Sequence, residues 1–406
     1  MDVDIRPIAE DEFAPFVTAL EAAFSSHPEP DRVEMERMIF VPDRYLAAFD
    51  GARIVGGNCS QPMTLTVPGG GRVGMSGINA VGVLPTDTRR GVSTALMRRQ
   101  LGDCRDRSEP LAGLYASEGA IYGRFGFGLG TRDARYEIDA SNAGFVRGYE
   151  PAGAIRLVDA TEAADAFRHV LERGVLLRSG AVGEVERFLP WLLRDIELDE
   201  KDKPFWIVHE NDEGDVDAAA AYRAKHDWPD SRPHARVTVY ALDAASAHGL
   251  ADVWRYLLDI DLVGTVVAFD RPVDEPLFRL LREPRSARMR VGDAMWLRIV
   301  DVATAFDERA FGTDGRVTIA VRDRFCPWNE ATWAFDVDGG QASVRRTDAP
   351  AELLCQVNDL GCVYLGDATF RNMADALQVR ELEAGAIERA DALFGSWPAP
   401  WCWLPF

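Results

Sequence analysis

The sequence predicts a mixed α/β chain in which one α/β fold occurs twice and is followed by a domain of another pattern. Three observations carry this. Helix and strand alternate through the first third, the order strand, turn, strand, strand, helix, strand returns faintly in the middle third, and the pattern changes from Ala294 onward. A chain of 406 residues exceeds what one ordinary core encloses, so two or three domains are expected. With 47% hydrophobic and 27% charged residues, it has the composition of a packed globular protein and not of a disordered one.

In the first third, Phe13, Phe16, Val17, Leu20 and Phe24 share one face of a helix over residues 9–24. Residues 45–49 read as a strand, Asp50-Gly51 as a hairpin turn and 53–67 as the returning strand. Pro68 and three glycines break it, and 74–83 is a further strand. Residues 91–105 form a helix with Val92, Leu96, Met97, Leu101 and Cys104 inward, and 111–116 a short buried strand. The glycine-bracketed stretch 148–153 closes this domain near residue 150. In the middle third, helical stretches cover 160–198, strands 205–209, 216–224 and 235–242, a helix 246–259 and a strand 263–269. Either one fold was duplicated and fused, or two ordinary α/β domains coincide. In the last part, strands at 295–300, 317–321 and 333–337 precede helices near 352–361, 369–378 and 385–394. The chain ends in SWPAPWCWLPF, which would be costly to leave in water where most termini are polar and frayed. Such a tail either plugs the core of its own domain or threads into a neighbouring cavity.

The formal net charge of -20 opposes nucleic acid and anionic membrane surfaces as partners and favours the approach of cations. The opening MDVDIRPIAEDEF is acidic and lacks an apolar core, so it is not read as a signal peptide. Runs of about 18 apolar residues are missing, so a membrane-spanning helix is not expected. Cys59, Cys104, Cys326, Cys355, Cys362 and Cys402 form no CxxC pair and read as reduced thiols of a cytoplasmic protein. The histidines are equally scattered, without HExxH, and no metal site is expected.

The informative segment runs from residue 78 to 128. A strand ending in Val81, Gly82 and Val83 leads through Pro85 to Arg89-Arg90-Gly91-Val92-Ser93-Thr94, which opens a helix. A helix start carries unpaired N–H groups and the positive end of the macrodipole; Gly91 permits close approach of a ligand, and two arginines add charge. That chemistry suits a pyrophosphate. An arginine-rich helix start on a solvated surface would look the same. GxxxxGK[ST] and the GxG start of the dinucleotide fingerprint are both absent.

The strand followed by Thr88-Arg89-Arg90-Gly91-Val92-Ser93 resembles the acetyl-CoA turn of the GNAT acetyltransferases, with threonine and serine at the first and last positions of the pattern. Residues 116–128, with Ser117-Glu118-Gly119 and Tyr122-Gly123-Arg124-Phe125-Gly126-Phe127-Gly128, look like the segment where those enzymes place a catalytic tyrosine. More narrowly, the chain resembles the Eis ("enhanced intracellular survival") family of N-acetyltransferases over nearly all its length. The likeness takes in the AAF segment at Phe24, LTVPG (65–69), FCPWN (325–329), LGCVYLG (360–366) and the PWC…F ending. The resemblance implies a GNAT acetyltransferase domain (1–150), a central degenerate GNAT copy (151–290) and an α+β domain like a sterol carrier protein (291–406). It also implies a homo-oligomer, a hexamer.

On that resemblance, acetyl-CoA is the cosubstrate and the acceptor is a primary amine of a cationic small molecule, an aminoglycoside or polyamine. Tyr122 is the implied general acid for the departing thiolate, and the C-terminal carboxylate, here on Phe406, the general base. Trp401, Trp403, Leu404 and Pro405 would anchor the tail. Val81, Gly82 and Val83 would meet the pantetheine arm, Arg89 to Thr94 the pyrophosphate, and Ser117 and Glu118 would close around the arm. Phe24 matches a pocket wall. The family has an acidic residue just after that phenylalanine, where Ser25-Ser26-His27 stand here; Glu29, Asp31, Glu34 and Glu36 either replace it or form a solvated face. In the middle third, the equivalent turn (243–248, then Gly249-Leu250-Ala251) has no arginine before the glycine and carries the anionic Asp243, so one cofactor site per chain is expected. Two other readings remain: acetylation of protein lysines or N-termini, and a non-catalytic protein whose C-terminal domain holds an apolar ligand. The intact Arg89-Arg90-Gly91 turn and Tyr122 oppose the latter.

Overall fold

The apolar runs of the first third assemble as β1 (Asp4–Pro7), β2 (Tyr45–Asp50), β3 (Arg53–Thr66), β4 (Arg72–Val83), β5 (Leu111–Tyr115) and β6 (Gly128–Leu129). The computed structural model describes residues 3–198, 203–226 and 234–406. Strands β1 to β4 pair antiparallel in order, and β5 lies parallel to β4. Helices α1 (Phe13–Ala23), α2 (Pro30–Arg37), α3 (Val92–Asp106) and α4 (Gly119–Tyr122) complete this part. Helix α1 sets Phe13, Phe16 and Leu20 on Tyr45, Ala47, Phe49 and Cys59. Helix α3 sets Val92 and Leu96 on Leu46, Ala48 and Val55, and Met97, Leu101 and Cys104 on Ile78, Ala112 and Leu114. Alternate residues of β2 point to opposite faces, so α1 and α3 cover the two sides of one sheet.

The middle of the chain forms a second unit, Arg132–Asp293, while Met1–Thr131 and Ala294–Phe406 make up the first. Its elements are β7 (Arg132–Asp139), β8 (Ala154–Val158), α5 (Ala160–Arg173), α6 (Val185–Leu198), β9 (Phe205–Glu210), β10 (Val216–Lys225), β11 (Ala235–Ala244), α7 (Ala247–Asp259), β12 (Val263–Arg271), α8 (Leu277–Leu280) and β13 (Ala287–Asp293). The sheet order is β13-β7-β12-β11-β10-β9-β8. The expected boundary at 150 differs from this division, because β7 pairs with β12 and β13; the expected boundary at 290 falls inside β13.

The chain returns to the first unit with β14 (Met295–Ile299) and α9 (Val302–Ala305). β15 (Gly315–Arg322), β16 (Ala331–Asp338), β17 (Gln341–Arg346), β18 (Leu353–Gln356), α10 (Val357–Tyr364), α11 (Phe370–Asp375), β19 (Arg380–Glu381) and α12 (Ala386–Phe394) follow. Strand β14 enters the first sheet between β5 and β6, as β7 enters the second between β12 and β13. The third sheet runs β17-β16-β15-β18-β19. Its core is aromatic: the ring of Phe306 meets Phe335 and Tyr364, each at 5.1 Å. Buried Arg309 donates to the carbonyls of Tyr364 (2.7 Å), Phe394 (2.5 Å) and Ala310 (2.9 Å). The helix expected from 352 starts later. Residues 353–356 alternate into strand β18, and α10 begins where Asp359 accepts the N–H of Gln356 at 2.8 Å.

Among the described residues, no helix is long and apolar enough to cross a membrane, and no group of three or more His, Cys, Asp or Glu could hold a metal ion. All six cysteines are free thiols.

Asp243, at the end of β11, is buried, and burial pushes its carboxyl up to about 6 against the pull of Arg271. The unfolded chain then releases this proton first as pH rises, so the second unit loses stability between about pH 4 and pH 6 and stays level above. Asp243→Asn should abolish that loss. In denaturation at several pH values, the variant's advantage over the parent should grow across this window, on the order of 3 kcal/mol at most.

Candidate functional site

The first sheet opens at one place. Strands β4 and β5 pair at Met75–Leu111, Ser76–Ala112 and Gly77–Gly113, and no further, although β4 runs on to Val83. Strand β5 is instead held along its whole length by β14, from Met295–Tyr115 to Ile299–Leu111. Beyond Gly77 the edge of β4 that faces β5 has no strand partner among the described residues. On its other edge, β4 carries a bulge: Gly82 pairs with Gly57 and Asn79 with Cys59, so Ala80 and Val81 oppose Asn58 alone. Ala80 takes φ +51°, a left-handed value uncommon for alanine, and nothing in the local sequence announces it. Val81, Gly82 and Val83 thus offer backbone groups along the opening, where an amide-bearing arm can use them.

The turn after β4 leads to the start of α3. Gly91 occupies the N-cap position with φ +84°, and α3 has no side-chain cap. The N–H groups of Val92, Ser93 and Thr94 are left without the usual capping oxygen, at the positive end of a 15-residue helix. A Cβ at Gly91 would meet nothing within 4 Å, so the turn is open. Arg89 is exposed beside it. Arg90, expected to add free positive charge, instead pairs with Asp87 and, at 3.1 Å, with Asp50; Arg53 also holds Asp87, at 2.9 Å. Those cations keep the Asp87 carboxyl low, at about 2.

The second unit shows the contrasting case. Its α7 is capped by Ser246, whose hydroxyl accepts the Gly249 N–H at 2.9 Å and donates to Asp217 at 2.5 Å. A Cβ at Gly249 would stand 2.7 Å from an Asp217 oxygen. His209 fixes this carboxylate at 2.5 Å and Asp252 at 2.9 Å. The helix start that matches the α3 turn is therefore filled by the chain's own side chains. Asp243, expected to repel phosphate there, is buried, with Arg271 and Glu275 as its charged neighbours.

Tyr122 ends α4, 5% exposed, in a cluster with Ile78, Met97, Leu114, Phe125 and Phe127. Burial raises its phenol pKa; a hydrogen bond with Ser117 and the charge of Arg124 pull the other way, while Glu118 adds to the rise. The phenol keeps its proton at neutral pH. Ser117 and Glu118 themselves are exposed ahead of α4.

The tail reaches the same opening. Trp401, Trp403 and Leu404 are buried as expected of an anchor, whereas Pro405 is exposed. The Phe406 ring stands at right angles to that of Tyr115, 5.3 Å away, and 3.1 Å from where a Gly77 Cβ would be. Gly77, Gly113 and Tyr115 point to the side of the sheet covered by α1; Ile78, Ala112 and Leu114 point to the side of α3 and Tyr122. Phe406 and Tyr122 thus approach the opening from opposite faces.

Phe24, 53% exposed at the end of α1, lies on the Phe406 face, 3.5 Å from the place of a Gly82 Cβ. Of the acidic residues near it, Glu29, Asp31 and Glu34 are exposed. Glu36 is half-buried, and its charge helps raise the pKa of Tyr45 and Cys59 on the same face. Periodicity in a helix this short did not single it out. A polar cavity of 630 Å³ in the second unit, lined among others by Glu137, His234, Glu283 and Arg285, holds none of the expected site residues.

An open, uncapped helix start beside parted parallel strands is the site of a GNAT acetyltransferase. Two models described as acetyltransferase (GNAT) domains match residues 4–130 and 183–299, and one described as a sterol carrier protein domain matches 302–403. The chain is 36% identical to an uncharacterized N-acetyltransferase of Streptomyces avermitilis, covering 99% of both. It is 30% identical to the N-acetyltransferase Eis of Mycobacterium tuberculosis, covering 98% of both. The crystal structure of Eis1 from Mycobacterium abscessus shares 33% identity and superposes with a TM-score of 0.88 over 99% of this chain and 100% of that one. The chain belongs to the Eis family of GNAT N-acetyltransferases, with tandem GNAT domains followed by a sterol-carrier-like domain. It is an acetyltransferase with acetyl-CoA as cosubstrate.

Isothermal titration should give one acetyl-CoA equivalent per chain, and Arg89→Ala should weaken binding several-fold, roughly the worth of one exposed charge contact. Two equivalents would contradict the closure of the α7 turn.

Proposed function

We propose that the enzyme acetylates a primary amine of a cationic small molecule, of aminoglycoside or polyamine type, with Tyr122 as general acid and the Phe406 carboxylate as general base. One observation carries this: Tyr122 and Phe406 come to the same strand opening from opposite faces. Acetyl-CoA supplies the acetyl group as a thioester. Val81 to Val83 are suited to hold its arm, and Arg89 with the N–H groups of residues 91–94 its pyrophosphate, Arg90 being engaged by Asp87 and Asp50, with Ser117 and Glu118 at the arm's reacting end. On the α3 face, Tyr122 holds a proton for the sulfur that departs, and burial keeps that proton in place until the charge appears. On the α1 face, the amine meets Phe24, Glu36 and the Phe406 carboxylate, which takes its proton directly or through water. A free α-carboxyl is a weak base near neutral pH, so it would act through water or only when desolvated by bound substrate. The half-buried Glu36 favours a cationic acceptor, in keeping with the net charge of -20.

Free thiols suit a cytoplasmic setting, and the family likeness suits a homo-oligomer, hexameric by analogy. Acetylation of protein lysines uses the same chemistry and differs only in the pocket. A coupled-thiol assay against aminoglycosides, polyamines and lysine peptides should show the first two preferred, and Glu36→Gln should raise KM for them with kcat little changed; equal or better rates with peptides would reverse the substrate assignment.

Tyr122→Phe should lower kcat by roughly 10²-fold or more while acetyl-CoA binding persists. Deleting Phe406, or appending a C-terminal tag, should lower turnover more than acetyl-CoA affinity. Unchanged turnover in either variant would remove that residue's role.

A further inference from the structure

Arg298 lies on β14 with its side chain wholly buried, which is costly for a group that stays charged. Its Nη2 donates to Asp323 at 2.6 Å, and Asp323 is buried as well. Asp323 also accepts the N–H of Cys326 at 3.0 Å and the side-chain amide of Asn329 at 3.0 Å. Asn329 in turn donates to the Val300 carbonyl at 3.0 Å and accepts the Val302 N–H at 3.2 Å. The FCPWN segment is thereby folded around one carboxylate and tied to the end of β14.

The other side of the guanidinium has a different neighbour. A Cβ built at Gly126 would lie 2.7 Å from both Cζ and Nη1 of Arg298, so the guanidinium lies directly against the backbone there. Among the described residues no oxygen or nitrogen pairs with Arg298 Nε or Nη1, and the Cys326 thiol is a further polar neighbour, so the group acts on Gly126 by contact rather than by a bond. Gly126 has φ +88°, and its N–H donates to Gly123 at 3.0 Å in the turn that follows Tyr122. The next residue, Phe127, donates its N–H to the Tyr122 carbonyl at 3.3 Å. Phe125 meets Phe325 of the FCPWN segment edge to face at 5.0 Å. The turn carrying Tyr122 is therefore seated on Arg298 and the Asp323 loop of the C-terminal domain.

We propose that Arg298, fixed by Asp323 and pressed against Gly126, is a positioning residue that sets the Tyr122 phenol in place for proton transfer. The proposal rests on the general-acid role of Tyr122. A buried planar cation held by one carboxylate is a poor stabiliser compared with a packed apolar pair, but it is a stiff, flat support for a backbone turn. A lysine can keep the charge and the Asp323 contact but cannot present the flat face.

The test measures kcat and KM for Arg298→Lys, for Arg298→Met/Asp323→Asn, and for both in the Tyr122→Phe background, with acetyl-CoA binding by titration as the check on folding. Arg298→Lys keeps the ion pair and guards against a failure to fold. The expected result is a kcat lowered roughly tenfold or more in both Arg298 variants with KM for acetyl-CoA unchanged, the loss disappearing in the Tyr122→Phe background. Arg298 variants with parental kcat, or with the same fractional loss in the Tyr122→Phe background, overturn the proposal while leaving Tyr122 its role. Parental turnover in Tyr122→Phe alone overturns both.

Discussion

The site depends on which neighbour β5 follows. Backbone pairing with β14 runs the full length of β5, whereas pairing with β4 stops at Gly77–Gly113. Backbone hydrogen bonds lost inside a sheet are costly unless other partners replace them. Here β14 holds one edge of β5 along its whole length and keeps it in the sheet, while its other edge beyond Gly113 has no strand partner among the described residues. The Ala80 bulge adds local twist on the β3 side of β4. The opening is thus made by a strand that arrives from beyond the whole second unit.

That dependence explains how the chain's last residues relate to its first domain. The polypeptide that follows β14 carries the third sheet, the FCPWN segment and the aromatic tail. Its contributions to the opening are the Phe406 ring over Gly77 and the Arg298–Asp323 pair under the Tyr122 turn. The C-terminal domain's own core is closed by aromatic rings and by Arg309 bonded to three carbonyls. The two helix starts, α3 and α7, make the same point about anions from opposite sides. One is left uncapped at Gly91, and the other is satisfied internally by Ser246 and Asp217.

Local pattern made much of this readable. The apolar face of α3, the turn at Gly91 and the duplicated strand order all show in the sequence, because helix periodicity and turn chemistry are short-range properties. Pairing partners are not. The pairing of β7 with β12 and β13, and of β14 with β5, carries no local signature, whereas the glycines at 148 and 153 suggest a boundary well past Thr131. Residues 353–356 share their apolar character with α10 and were merged with it. The sequence shows Arg90 as a cation beside the turn, whereas its ion pairs with Asp50 and Asp87 exist only in the fold. Glu36 could not be separated from its exposed neighbours on α2, and Arg298 carries no motif at all. The assignments of Tyr122 and Phe406 came from family likeness; the faces from which they approach came only with the strands in register.

In the proposed mechanism one opening, between β4 and β5, receives the cosubstrate on the α3 face and the amine on the α1 face. A crystal structure of the enzyme with coenzyme A and an amine acceptor tests it directly. The expected result is the pyrophosphate on the N–H groups of residues 91–94, the sulfur within hydrogen-bond reach of the Tyr122 hydroxyl, and the amine beside the Phe406 carboxylate. A sulfur remote from that phenol, or both ligands on one face of the sheet, would contradict it.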